Sequence, residues 1–242
     1  ARDRFSLLSG RAHDPVLRDV FTPLSIGASI AVPDADVTKD PTRLAAWLKT
    51  AAVSVVHLTP ALGEVIAAGQ SFGGGGGSDL DVRHFFFGGD AVNRKLLQQL
   101  RQVAPRARFT NFYGATETPQ AMASASLDPD GAGPVGVGRG IADVQLLIVD
   151  DDGKLCGPGA LGEVWIRTPY LSRGYQGDEQ QTADRFITNP FTNVAGDFIY
   201  KTGDLGRYVD DDGAVVLAGR RDHQLKIRGY RVEPAEVAAA LE

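Results

Sequence analysis

The feature that most constrains this chain is an alternation that runs to about residue 125. Short β-branched or aromatic runs are each followed by a stretch with apolar residues at helical spacing. "GASIAVP" (27–33) reads as a buried strand. "DPTRLAAWLKTAA" (40–52) puts Leu44, Trp47 and Leu48 on one helical face, with Asp40 as N-cap. "VSVVHLTP" (53–60) reads as a strand stopped by Pro60, and "ALGEVIAAG" as a short helix ended by its glycine. "VRHFFFGGDAV" (82–92) is an apolar strand running into Gly-Gly. "NRKLLQQLRQVAP" (93–105) places Leu96, Leu97, Leu100 and Val103 on one face, and "ARFTNFYGATE" is a further strand. Strands alternating with helices predict βαβ units and a mostly parallel sheet, hence an α/β class. Ligands of such sheets gather beyond the carboxyl ends of the strands. The ends to watch are His57-Leu58-Thr59, Gly88-Gly89-Asp90 and Tyr113-Gly114. The glycine run in "SFGGGGGSD" (71–79) lacks the Gly-Lys-Ser/Thr ending of a phosphate loop and reads as a flexible surface loop.

After residue 140 the texture changes. "DVQLLIVDDDGKL" and "GRYVDDDGAVVLAG" each set Asp-Asp-Asp-Gly between β-rich runs, a hairpin signal. The spacing is not that of a calcium-binding EF-hand, so solvated turns are expected. Pro234 opens a helix with Glu236 in its first turn. The expected organisation is an α/β core over 1–140, a β-rich subdomain over 141–221, and the start of a C-terminal subdomain over 222–242. A net charge of -5 gives no reason to expect nucleic acid or an anionic membrane as a general partner. A single cysteine, Cys156, excludes an intrachain disulfide and fits a reducing, cytoplasmic setting. No apolar run approaches the roughly 18 residues of a membrane span. The N-terminus has no apolar signal-peptide core and no initiator Met, and the last residues stop in mid-pattern, so a piece of a longer polypeptide is expected.

The stretch "FTNFYGATETP" (109–119) sets two hydroxyls and a carboxylate directly after an aromatic and a glycine. Thr and Glu there fit a helix start, where free N–H groups need acceptors. They fit equally a site for an anion or a metal.

"NFYGATET", "GEVWIRTPYLSRGY", "YKTGDLGRY" and "GRRDHQLKIRGYRVEPAEV" follow one another in this order along the chain. Together, and in this order, they resemble the adenylation domains of nonribosomal peptide synthetases, within the adenylate-forming family that includes acyl-CoA synthetases and luciferases. The opening "DRFSLLSGRAHDPVLRDVFTPL" resembles the aminoadipate reductase branch. The resemblance covers essentially the whole chain. It implies two half-reactions: an acid attacks the α-phosphate of Mg-ATP to give an acyl-adenylate and pyrophosphate, and the phosphopantetheine thiol of a carrier protein then takes the acyl group. Both need phosphate charge stabilised and an acid oxygen positioned.

By this resemblance Tyr113 faces adenine, with Asn111 one strand step away, and Gly114 lets the backbone come close. Thr116 bonds a phosphate oxygen. Glu117 holds Mg2+, a hard cation that prefers oxygen. Asp204 receives the ribose hydroxyls, although a turn Asp can also cap its own backbone. Arg220 matches the ribose-contacting arginine, where the bland alternative is a surface cation. Asp222 matches the hinge of the mobile C-terminal subdomain. Lys226 and Gly229 match the loop at the pantetheine tunnel, and Glu163 reads as structural.

Asp14 aligns with the aspartate that pairs with a substrate amino group, which favours an amino acid over a simple fatty acid. Pro15, Arg18, His57, Phe86, Gly88, Phe112, Gln120 and Ala121 align with the rest of that pocket. A buried guanidinium without a partner is costly, so Arg18 and His57 favour a substrate with a second carboxylate, such as aminoadipate. The alternative is that Arg18 pairs with Asp19 or another protein carboxylate and His57 is a satisfied core histidine. His13, His84 and His223 show no metal-ligand spacing. The family's phosphate loop, expected before residue 1, and its catalytic lysine, expected after residue 242, lie outside these residues. These 242 residues alone are therefore expected to adenylate little. Two other readings are an acyl-CoA synthetase-type ligase and a non-catalytic nucleotide- or partner-binding module.

Overall fold

The computed structural model describes residues 3–10, 13–72, 79–192, 194–222, 224–227, 230–232 and 234–241. The chain divides into two compact units: residues 1–111 with 126–135, and residues 112–125 with 136–242.

The first unit is the expected α/β layer. Its strands β1 (Arg4–Ser6), β2 (Ser29–Ala31), β3 (Val55–Leu58), β4 (His84–Phe87) and the first half of β5 (Arg108–Ala115) lie in the order β2-β1-β3-β4-β5. All their pairings are parallel. The connecting helices are α1 (Val16–Ser25), α2 (Pro41–Thr50), α3 (Pro60–Phe72) and α4 (Arg94–Val103). Asp40 accepts from the Arg43 amide at 3.0 Å and Asn93 from the Leu96 amide at 2.9 Å. These caps fix where α2 and α4 begin. Leu44, Leu48, Leu96, Leu97 and Leu100 enter one core with Val56, Phe85, Phe87 and Phe109. Every residue of β3 is buried, as expected for a central parallel strand.

Two expectations in this unit are corrected. The strand in "GASIAVP" is not buried: β2 is an edge strand with Ser29 exposed and Ile30 and Ala31 half-buried. Gly69 does not end its helix, because α3 continues to Phe72. Gly69 packs so close to the start of α2 that a Cβ would run into the Pro41 carbonyl, so the glycine serves close approach rather than termination. Helix α1 turns Asp19 and Pro23 inward and leaves Leu17, Phe21 and Leu24 exposed. Residues 73–78 of the glycine run lie outside the described residues.

In the second unit, β6 (Thr118–Leu127) neighbours the end of β5 and pairs antiparallel with β7 (Arg139–Gly140). The segment after Gly114 is thus a tight hairpin and not a helix start. A 5-stranded antiparallel sheet follows, made of β8 (Gln145–Val149), β9 (Gly162–Arg167), β10 (Phe186–Thr188), β11 (Phe198–Tyr208) and β12 (Val215–Arg220). The short helix α5 (Glu179–Arg185) precedes β10. Ile148, Val164, Ile166 and Val215 form a second core with Tyr113 and Met122. Both Asp-Asp-Asp-Gly stretches are turns: Asp150 accepts from the Asp152 and Lys154 amides, and Asp210 from the Ala214 amide. The chain continues into the hairpin of β13 (Leu225–Ile227) and β14 (Tyr230–Val232) and helix α6 (Pro234–Leu241). No helix among the described residues is long and apolar enough to cross a membrane.

Candidate active site

The hairpin between β5 and β6 sets the first group. A Cβ on Gly114 would come within 2.7 Å of the Gln120 carbonyl oxygen, so the two strands close tightly there. The two threonines do different things. Thr118 is buried, and its hydroxyl accepts from the Ala115 amide at 3.2 Å, stabilising the turn. Thr116 is exposed at the tip. Glu117 between them is buried. Its backbone carbonyl accepts from the Ser172 amide at 2.9 Å, and its Oε1 accepts from the Tyr175 hydroxyl at 2.6 Å.

The second group comes from an irregularity in β11. Its register against β9 shifts between Lys201 and Leu205, and against β12 between Leu205 and Gly206. Strand alternation therefore fails, and Thr202, Gly203 and Asp204 are buried in succession. Bulges of this kind re-aim side chains beside active sites. Gly203 has φ 76°, a left-handed conformation that glycine adopts without strain. Its amide donates to Glu163 Oε1 at 2.9 Å, which gives that buried carboxylate a structural task.

The bulge delivers Asp204 between two partners. Tyr113 donates its hydroxyl to Oδ2 at 2.7 Å, and Arg220, the cross-strand neighbour, donates Nη1 to Oδ1 at 2.6 Å. A carboxylate has about four lone-pair sites, so capacity remains for two further donors such as a vicinal diol. Burial, with the Asp204 charge second, pushes the Tyr113 phenol well above its ordinary range, so it stays a donor. Arg220 reaches further: Nε and Nη2 bond the two oxygens of Asp222 at 2.7 and 2.8 Å. Nη2 also bonds the Thr202 carbonyl at 3.1 Å and Gln224 Oε1 at 2.6 Å. Arg185 adds a bond to Asp222 Oδ2 at 3.1 Å. Burial works to raise the Asp222 carboxyl, but the two arginines outweigh it and hold it below its ordinary value.

The first unit holds a separate polar cluster at the start of α1 and the end of β3. Asp19 has no exposed surface. Its Oδ1 accepts from His57 Nδ1 at 2.9 Å, and its Oδ2 from the Leu8 and Ser9 amides at 3.3 and 3.1 Å. His57 meets the Phe86 ring edge-on at 5.1 Å, and Phe86 stacks on His84 at 3.8 Å. Burial draws the Arg18 guanidinium below its ordinary range, against the opposing charges of Asp14 and Asp19. It remains a cation. Gly88 donates its amide to the Leu58 carbonyl at 3.1 Å. Pro15 is the residue before α1, and Asn111 is buried opposite Phe87.

Thus Asp14, Pro15, Arg18, His57, Phe86, Gly88 and Asn111 fall in the first unit. Phe112, Tyr113, Gly114, Thr116, Glu117, Gln120, Ala121, Asp204, Arg220 and Asp222 fall in the second. Within the second, the structure joins Tyr113, Asp204, Arg220 and Asp222 into one hydrogen-bonded set. Gln120 has φ 71°, uncommon for a residue with a Cβ. Lys226 lies in β13, and Gly229 and His223 lie outside the described residues. Three contributors escaped the sequence reading: Asp19 as the partner of His57, Arg185 on Asp222, and Tyr175 on Glu117. Tyr175 ends the motif "LSRGY", but nothing in that motif says which carboxylate its hydroxyl meets.

Comparison with known proteins identifies the family. Residues 1–176 match the family described as AMP-binding enzyme. The L-2-aminoadipate reductase large subunit of Eremothecium gossypii is 36% identical over 266 residues, spanning 97% of this chain and 19%, about a fifth, of that protein. Among solved structures, the Vibrio cholerae adenylation domain AlmE in complex with glycyl-adenosine-5'-phosphate superimposes with a TM-score of 0.86 at 27% identity, covering 100% of this chain and 44% of that one. NpsA-ThdA, an artificially fused adenylation-PCP di-domain from Klebsiella oxytoca, gives 0.81 at 25% identity, covering 99% and 47%. With its mixed α/β architecture and a family match over most of its length, the chain belongs to the AMP-binding enzymes, as a domain of the adenylation type found in nonribosomal peptide synthetases.

Proposed function

We propose that this chain is the central part of an amino-acid adenylation domain. The domain joins an amino acid to ATP as an aminoacyl-adenylate with release of pyrophosphate, then passes the acyl group to the phosphopantetheine thiol of a carrier protein. The observation that carries the reading is the set built on Asp204. Tyr113 and Arg220 fix its carboxylate from two sides and leave acceptor capacity for the two ribose hydroxyls of the nucleotide. Tyr113 and Gly114 would receive adenine, with Asn111 one strand step away, and Thr116 a phosphate oxygen.

Magnesium fits the donor set. Among the described residues there is no group of three or more His, Cys, Asp or Glu able to hold a metal by itself. Mg2+ in nucleotide sites commonly takes one or two carboxylates and draws its other ligands from phosphate and water. Glu117, a buried carboxylate in the hairpin, is the residue assigned to it. The ion supplies charge neutralisation at the phosphates. The protein's part is to hold the carboxylate in place.

The substrate is an amino acid, by Asp14, with a second carboxylate read by Arg18 and His57. In support, Arg18 is a half-buried guanidinium, a group that stays cationic in proteins, and the relative from Eremothecium gossypii is an aminoadipate reductase. The His57–Asp19 bond and the charges of Asp14 and Asp19 also satisfy these groups without substrate, so the pocket requires its own test. Residues 222–242 begin the mobile subdomain, with Asp222 as its hinge. The carrier partner is supported by the adenylation-PCP construction of NpsA-ThdA.

The deciding experiment is ATP–pyrophosphate exchange with the full-length polypeptide that carries this chain, offered aminoadipate, glutamate, alanine and plain carboxylic acids. Exchange with a dicarboxylic amino acid, lost in Arg18→Ala, is the expected result. Exchange with a neutral amino acid alone would keep the enzyme and overturn the pocket assignment. Absence of exchange with every acid, with nucleotide still bound, would leave a non-catalytic module.

A further inference from the structure

We propose that Tyr175 is the positioning residue for the metal-binding carboxylate: its hydroxyl sets the orientation of Glu117 and thereby the affinity of the site for Mg2+. The inference rests on the assignment of Glu117 to the metal.

Three observations carry it. The first is the bond itself. The Tyr175 hydroxyl donates to Glu117 Oε1 at 2.6 Å, within the short range of charge-assisted O–H···O⁻ bonds. Such a bond uses one lone pair of that oxygen, of the roughly four acceptor sites a carboxylate has. A glutamate carboxylate, free to turn about its side-chain torsions, loses rotational freedom before the cation arrives once it is held at one oxygen.

The second observation is that the tyrosine is itself held. Its ring meets Phe186 edge-on at 5.7 Å, and Phe186 packs on the buried Tyr200 at 5.1 Å. Its amide donates to Thr182 Oγ1 at 2.9 Å, and the Thr182 hydroxyl in turn donates to the Asp178 carbonyl at 2.8 Å. Gly174, with φ 106°, brings the backbone so close to α5 that a Cβ would run into the Thr182 side chain. The phenol oxygen is therefore placed by a rigid seat formed by α5, β10 and β11.

The third observation is a second tether at the same residue. The Ser172 amide donates to the Glu117 backbone carbonyl at 2.9 Å, so one short loop grips both the backbone and the side chain of Glu117. A loop that only covered the hairpin would not need to meet the carboxylate. Partners that orient metal ligands from behind typically govern affinity by about 10–100-fold.

The test uses the full-length polypeptide that carries this chain and two binding titrations without amino acid. One measures AMP affinity in EDTA. The other measures ATP affinity across a MgCl2 series and reads the Mg2+ concentration giving half of the maximal effect. Tyr175→Phe keeps the ring on Phe186 and deletes only the hydroxyl. Expected is an AMP affinity within about twofold of wild type and a half-effect Mg2+ concentration raised about 10–100-fold, while Glu117→Gln loses the Mg2+ response. If Tyr175→Phe titrates with Mg2+ like wild type while Glu117→Gln does not, the tyrosine merely satisfies a buried carboxylate and the proposal falls, with the metal assignment intact. If Glu117→Gln keeps its Mg2+ response, the assignment of Glu117 itself falls and takes the proposal with it. If Tyr175→Phe loses AMP and Mg2+ response in parallel, the residue supports the whole unit and the specific role is refuted.

Discussion

Replacing Arg220 with methionine tests the centre of the site most directly. The guanidinium bonds Asp204 Oδ1, both oxygens of Asp222, the Thr202 carbonyl and Gln224. The Arg220 side chain is 16% exposed and that of Asp204 9%, so the pair is largely out of water. Methionine fills most of the volume but leaves the Asp204 carboxylate with Tyr113 alone among the bonds described. It also leaves Asp222 with only the weaker Arg185 contact among the bonds described. Removing one partner of a buried ion pair costs about 3–5 kcal/mol, and the residual exposure argues for the lower end. For a chain of this size, about 3 kcal/mol corresponds to a fall in Tm of roughly 6–12 °C. Arg220→Lys keeps the charge but not the fork, and lysine cannot bond Asp204 and Asp222 together. It is expected to recover less than half of the loss. The assay is urea unfolding of a double-mutant cycle: Arg220→Met, Asp204→Asn and the pair. The expected coupling is about 1.5–3 kcal/mol, the range for a hydrogen bond to a charged group. Additivity within about 0.5 kcal/mol, or a Tm shift below about 2 °C for Arg220→Met, would show that the bonds seen around Arg220 do not hold the site.

Two further predictions concern the frame around the site. Gly69→Ala forces a methyl against the Pro41 carbonyl and should cost about 1–3 kcal/mol through displacement of α2 from α3; a chemical denaturation curve matching wild type would refute the close approach. Asp197 is held at a pKa of about 2 by bonds from Arg167, Thr192 and Asn189, against an ordinary value of 3.8. A depressed carboxyl stabilises the fold above its unfolded pKa, and that contribution fades as pH falls from about 4 toward 2. Asp197→Asn should therefore flatten the acid limb of the stability profile in that window and leave its slope near neutrality unchanged.

The α/β half was legible because its physics is local. Leu96, Leu97 and Leu100 at helical spacing, with Asn93 at the cap, specify α4 without knowledge of anything distant. The same reasoning failed where a non-local contact decides. Gly69 looks like a helix terminator, but its meaning lies in the Pro41 carbonyl, remote in sequence. "GASIAVP" has the composition of a buried strand, but burial depends on the sheet order, and β2 falls at the edge. Helix α1 buries an aspartate and exposes Leu17 and Phe21, so its apolar periodicity points away from its packed face. The site divides in the same way. Tyr113, Asp204 and Arg220 could be read from motifs because the resemblance assigns each a role. Their mutual bonds, and the parts played by Asp19, Arg185 and Tyr175, arise from register shifts and loop paths that no spacing rule encodes.

The arrangement of Asp204 and Asp222 in the second unit explains why one strand irregularity matters so much. A regular β11 would bury alternate residues and could not point Asp204 at Tyr113 while its backbone amide bonds Thr202 Oγ1 at 2.9 Å. The bulge spends regular pairing to gain that aim. It needs glycine at 203, because a side chain is strained at a φ of 76°, and a Cβ there would also crowd the Asp222 carboxylate. Arg220 then spans the result, with one nitrogen on Asp204 and two on Asp222. A single rigid guanidinium plane thus sees both the group proposed for the ribose and the group proposed as the hinge. Displacing Asp222 would remove two of the bonds that orient the plane and leave those to Asp204, the Thr202 carbonyl and Gln224 in place.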